Sequence, residues 1–220
     1  MIAMTRSNHA PIGYASYKQR DKAIIDWLRI HPSTVLIIAL LFFQGRLQKA
    51  YRRTQKLRKR GLIECIGLLR LGDGRPADFY SGWQVKEDLY FHEYHLTRFA
   101  ACYPDAGWTR GYDTDRTLRP DAEMRVDDET YYVELHTGTM RGDKARSRFD
   151  VYRDTRASVL WVTLDHSDVD YLLELAPSDN HWVAPLDVIE ADPQGQIWIN
   201  NRGEQGWITG PNSPDRSCDY

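Results

Sequence analysis

With 220 residues, 42% of them hydrophobic, the chain is long enough to bury one large core or two smaller ones without disulfide or metal staples. Its 29 basic and 31 acidic residues give a formal net charge of -2, which argues against an evenly basic nucleic-acid coat, and its longest apolar run, residues 35–43, falls far short of the roughly 20 needed to span a bilayer. No signal-peptide pattern opens the sequence, and Cys65, Cys102 and Cys218 are too scattered for a CxxC site or a disulfide framework, so a cytoplasmic protein with free thiols is expected.

Residues 1–16 show no apolar period and read as a tail. From Lys18 a helical spacing takes over, with Ile24, Trp27 and Leu28 at i, i+3 and i+4, and it closes before Pro32. Ser33 or Thr34 is placed to cap a second helix over 35–42, whose nearly continuous apolar character predicts burial on several sides. A third helix is predicted over 45–60, with Leu47, Ala50, Tyr51, Thr54 and Leu57 on one face and Gly61 as its C-terminal cap. A strand over 62–70, a turn at Asp73-Gly74 and a return strand over 78–83 complete an N-terminal winged helix-turn-helix.

The second half reads as a mixed α/β region. A helix is expected over 90–102, strands over 108–113, 121–126 and 130–136, a helix over 144–153, a strand over 158–163 and a helix over 168–175. Segments 182–189 and 196–200 suggest a last hairpin around Asp192-Pro193-Gln194-Gly195, followed by a polar tail.

Eight of the 29 basic residues fall between Arg46 and Arg60, a stretch without a single acid, so the rest of the chain is distinctly acidic. Ion pairs at i, i+4 within the helix therefore cannot account for the run. A helix seated in the major groove needs an apolar face toward its scaffold and long donors on the opposite face. Double-stranded DNA is the partner this predicts. Arg46, Lys49, Arg52 and Arg53 are the candidates for base or phosphate contact, with Lys56, Lys59 and Arg60 along the backbone and Arg75 near the hairpin tip in the adjacent minor groove.

Asp121 opens one predicted strand and Glu134 lies near the end of the next, after the turn Asp127-Asp128-Glu129. That spacing sets two carboxylates side by side at a sheet edge, where they can hold Mg²⁺ or Mn²⁺ to activate water and stabilise charge on a phosphodiester. Pro120-Asp121 and Glu134-Leu135-His136 resemble the motif of the PD-(D/E)XK nucleases. The resemblance implies Asp121 and Glu134 as metal ligands, Glu93 on the preceding helix as a further carboxylate, and His136 where that family has its lysine. Histidine can act as a general base or polarise water, but carries no permanent charge at neutral pH; Lys144 or Arg146 on the next helix is placed to supply one. His92-Glu93-Tyr94-His95 is one residue short of HExxH and reads as a surface pair, while Asp165-His166-Ser167-Asp168 reads as a loop and helix cap.

Leu47-x-x-Ala50-Tyr51-Arg52-Arg53-x-x-x-Leu57 with Gly61-Leu62-Ile63, the helix carrying His92, Glu93, Leu96, Arg98 and Phe99, and three further stretches together resemble the replication-relaxation family of plasmid and mobile-element proteins. Those stretches are Arg119-Pro120-Asp121-Ala122, Tyr132-Val133-Glu134-Leu135-His136-Thr137-Gly138-Thr139 and Arg148-Phe149-Asp150-x-Tyr152. The likeness runs over about 18–175 and implies a role in replication, relaxation or conjugative transfer. The fold class expected is α+β: a tail over 1–16, a winged helix over 17–88, a restriction-endonuclease-like domain over 89–178, and a β-hairpin extension and tail over 179–220. Three functions stay open: a DNA-binding accessory protein, a metal-dependent endonuclease or nickase, and a transcriptional regulator whose nuclease-like domain is inactive. The partners expected are DNA, a second copy of the chain, and replication or transfer proteins of the same element, with no membrane.

Overall fold

The computed structural model describes residues 16–72, 74–110 and 114–208. Most of the expected tails, Asp73 of the predicted turn, the end of the 108–113 strand and Cys218 lie outside them. The chain is α+β, and the described residues fall into two compact units, one up to Pro104 and one from Asp105.

In the N-terminal unit, Ser16 caps helix α1 (Tyr17–Leu28) by accepting the Gln19 N–H at 3.3 Å. Then come β1 (Ser33–Thr34), α2 (Val35–Phe43), α3 (Leu47–Lys59), β2 (Glu64–Leu69) and β3 (Ala77–Ser81), with an antiparallel sheet in the order β1-β3-β2. Ser33, expected as a helix cap, instead sits in β1, where its hydroxyl donates to the His31 carbonyl and accepts from the Trp27 indole, both at 2.9 Å. Thr34 makes no capping bond. Gln44 and Gly45 both take left-handed backbone (φ 55° and 75°), so α3 starts at Leu47, two residues later than the charge pattern suggests. At its far end Gly61 turns left-handed, and the N–H groups of Gly61 and Leu62 close on Arg58 and Leu57. Ile24, Leu28, Ile38, Phe42, Ala50 and Leu57 form the core that holds the three helices together.

Helix α4 (Tyr90–Cys102), expected to open the second domain, belongs to this first unit: Tyr90 and Tyr94 pack with Ile37 and Phe79. The Tyr90 hydroxyl donates to the Ile66 carbonyl at 2.5 Å, and its ring lies so close over Gly67 that a Cβ there would stand 2.6 Å from Cε2. Tyr90 is buried and cannot swing freely. Gly67→Ala is therefore expected to destabilise the unit by about 2 kcal/mol through overpacking, read as a lowered midpoint of urea unfolding; a midpoint equal to wild type would refute this close packing.

The C-terminal unit is a seven-stranded sheet in the order β10-β9-β8-β7-β6-β5-β4. Strands β4 (Gly107–Arg110), β5 (Ala122–Val126) and β6 (Glu129–His136) form an antiparallel meander. Strands β6, β7 (Ser158–Thr163) and β8 (His181–Pro185) run parallel, joined through α5 (Asp143–Val151) and α6 (Asp168–Leu175). Strands β9 (Trp198–Asn200) and β10 (Gln205–Gly206) return antiparallel. Residues 182–189, expected as one strand, split at Pro185 into the end of β8 and helix α7 (Leu186–Ala191), which buries Leu186 and Ile189 at i, i+3. So short an apolar run fits either period, and proline's fixed φ favours the helix start. Because β8 pairs with β7, the segment expected as an appended hairpin continues the central sheet. Phe149 stacks on Trp161 at 3.8 Å, with Tyr152, Val159, Leu172 and Val183 around them. Among the described residues no helix is long and apolar enough to cross a membrane, and Cys65 is a free thiol.

Candidate nucleic-acid interface and carboxylate site

Helix α3 buries Ala50, Thr54 and Leu57 and turns its other faces outward. At about 100° per residue, the row opposite the buried one is Gln48, Arg52 and Lys59, flanked on one side by Lys49, Lys56 and Arg60. All of these are exposed, as is Arg46 at the N-terminal end of the helix and Arg75 in the connection between β2 and β3. Leu47 and Tyr51, expected on the core face, are 50% and 52% exposed and border the basic surface. Gln48 shares this outer row with Arg52 at i, i+4 spacing.

Arg53 is the exception among the expected DNA contacts. On the flank facing α1, its Nε and Nη2 donate to the two carboxylate oxygens of Asp21, and its guanidinium lies 5.5 Å over the Tyr17 ring. That bidentate pair ties α3 to α1 and withdraws Arg53 from the set of exposed donors.

In the C-terminal unit, Ala122 pairs with Val133, so the next position down the hairpin sets Asp121 opposite Glu134. Oδ2 of Asp121 accepts the Leu135 N–H at 2.8 Å. Glu134 is buried, and burial followed by the neighbouring Asp121 charge lifts its carboxyl to about 7, against the pull of Arg148 and Tyr152. Arg148 reaches over from α5: its Nε donates to Oε2 of Glu134 at 3.0 Å, its Nη2 to Oε1, and the Tyr152 hydroxyl also donates to Oε1. The charge expected from Lys144 or Arg146 thus comes from Arg148, because the inward row of α5 runs through Ala145, Arg148, Phe149 and Tyr152 and leaves Lys144 and Arg146 exposed. The spacing of Arg148 to Tyr152 and its adjacency to the buried Phe149 were the available signals.

His136, two residues beyond Glu134 on the same strand, is buried, and its Nε2 lies 3.2 Å from Oδ2 of Asp168 at the start of α6. Arg141 meets the other oxygen of Asp168. Burial holds the imidazole below its ordinary pKa, partly opposed by Asp168. The ring therefore lies against Asp168 and does not stand as a substitute ammonium beside Glu134. Glu93 is buried in α4 of the N-terminal unit, and the carboxylate pair of the C-terminal unit consists of Asp121 and Glu134. His95 on α4 is a core residue packed edge-on against Phe91 and Tyr94, with its pKa lowered by burial to about 3. In the segment read as a loop and cap, the Asp165 carboxylate accepts the Ser167 N–H at 2.9 Å, and His166 pairs with Asp187. Among the described residues no group of three or more His, Cys, Asp or Glu is arranged to hold a metal ion. No family model matches the chain, and no curated protein matches it.

Proposed function

We propose that this chain binds double-stranded DNA through α3 and serves the replication, relaxation or transfer of a plasmid or other mobile element. The observation that carries the DNA reading is the acid-free face of α3, where Arg46, Lys49, Arg52, Lys56, Lys59 and Arg60 are exposed on a helix anchored by Ala50, Thr54 and Leu57. The order α1-β1-α2-α3-β2-β3, with its β1-β3-β2 sheet, suits a winged helix-turn-helix whose α3 lies in the major groove and whose β2-β3 hairpin brings Arg75 toward the neighbouring backbone. Gln48 and Arg52, on the outermost row, have the donor geometry for base edges; the flanking lysines suit phosphates. The mobile-element role rests on the resemblance of the sequence to the replication-relaxation family. In this reading the C-terminal unit, whose β4-β5-β6-α5-β7 succession suits a nuclease-like core, contributes backbone or dimer contacts.

Fluorescence anisotropy with a labelled mixed-sequence duplex tests the reading. Saturable binding is expected, with log affinity falling by about 0.9 for each phosphate contact per unit of log salt. Absence of binding at low salt would overturn it.

A further inference from the structure

Asp121 and Glu134 lie where a nuclease-like core would hold a divalent cation, and a metal there needs open oxygens from both carboxylates. Both oxygens of Glu134 are already engaged: Oε2 accepts from Arg148 Nε at 3.0 Å, and Oε1 accepts from Arg148 Nη2 and from Tyr152. Oδ2 of Asp121 accepts the Leu135 N–H. An arriving dication would also meet the guanidinium charge already seated against Glu134. The residues do not fit a metal.

The rest of the guanidinium is equally engaged. Nη1 donates to the Leu118 carbonyl at 2.8 Å, Nη2 to the Arg119 carbonyl, and the group lies 5.1 Å over the Tyr152 ring. Arg119 holds a left-handed backbone (φ 49°), rarely adopted by a bulky residue unless its surroundings fix it, and it directly precedes Pro120-Asp121. We infer that Arg148 is the resident cation of this site: one guanidinium fastens β6, α5 and the turn ahead of Asp121, as a bound metal would, and keeps Mg²⁺ and Mn²⁺ from the carboxylate pair. This inference stands apart from the DNA reading, since neither Arg148 nor Glu134 belongs to α3.

The test uses the full chain, stripped with a chelator and titrated with Mn²⁺ at pH 8, followed by water-proton relaxation and by Tm. Wild type is expected to show no saturable Mn²⁺ binding up to roughly 1 mM and no metal-dependent Tm, because a ligand held well below that concentration would raise Tm by mass action. Arg148→Ala is expected to lower Tm by on the order of 10 °C in chelator, since it leaves a buried carboxylate without its partner. Part of that loss should return with Mn²⁺, and adding Glu134→Gln should abolish the return. Micromolar Mn²⁺ binding by wild type that Glu134→Gln removes would overturn the inference, as would a wild-type Tm in Arg148→Ala. Should the alanine variant fail to fold, Arg148→Lys decides: an ammonium lacks the fork that spans Glu134 and two carbonyls, so a Tm below wild type is expected, and a Tm equal to wild type would refute the bracing role.

Discussion

Arg52→Ala combined with Lys56→Ala is expected to weaken duplex DNA binding about a hundredfold at moderate salt, and to flatten the log-log salt slope by close to two counterions if both meet phosphates. Both side chains are exposed on α3, which carries no acidic residue that could compensate the loss. If Arg52 instead reads a base edge, the slope changes by about one and the loss is confined to particular sequences, by roughly 1–3 kcal/mol at that base. Arg53→Ala is the informative control. Its guanidinium is bound to Asp21, with side-chain exposures of 21% and 12% for the two residues, so its loss should cost on the order of 2 kcal/mol of stability. The salt slope should stay at its wild-type value. Unchanged affinity and slope in the double variant, with the fold intact, would remove α3 from the interface.

How far the sequence carries toward this site depends on the distance over which each feature is written. The basic face of α3 is local: its period, its lack of acid and Gly61 at its end all lie within one segment, and the helix lies close to where they put it. The neighbourhood of Asp121 and Glu134 is nearly as local, because a tight turn at Asp127 fixes the hairpin register by counting. The partner of Arg53 is not local. Asp21 sits 32 positions earlier; the period of α3 sets Arg53 on a flank and Arg52 on the outer row, but only the packing of α1 supplies the carboxylate that Arg53 meets. Arg148 was missed for a related reason: three basic side chains stand on α5, and the helix register against β6 selects the third. Strand β1 is two residues long and is defined by its partner Phe79-Tyr80, so no periodicity could have revealed it. Pro185 shows the remaining kind of ambiguity, an apolar run in which strand and helix share the same composition.

Acidification is expected to work against the stability of the C-terminal unit through His181, in opposition to Glu134, whose raised carboxyl takes up its proton near 7. The ring, at the start of β8, is fully buried, stacked with Phe149 of α5 at 5.5 Å, and its Nδ1 accepts the Trp161 indole N–H at 3.1 Å. An imidazolium carries a proton on both nitrogens, so charging the ring would set two donors against each other as well as placing a charge in an apolar core. Burial accordingly lowers its pKa to about 4. The unfolded chain takes up this proton near 6.5, the folded chain only near 4, so below 6.5 the unfolded state binds more protons. The contribution of His181 is therefore complete above pH 6.5 and drains away as the pH falls toward 4, by on the order of 3 kcal/mol. Urea unfolding across pH 4.5 to 7.5, followed by tryptophan fluorescence, measures the slope. His181→Phe keeps an aromatic ring on Phe149 but cannot titrate, so its stability should be lower at pH 7.5, where the Trp161 bond is lost, yet flatter down to pH 4.5. Equal slopes for the variant and wild type would mean that His181 is not the group that takes up the proton.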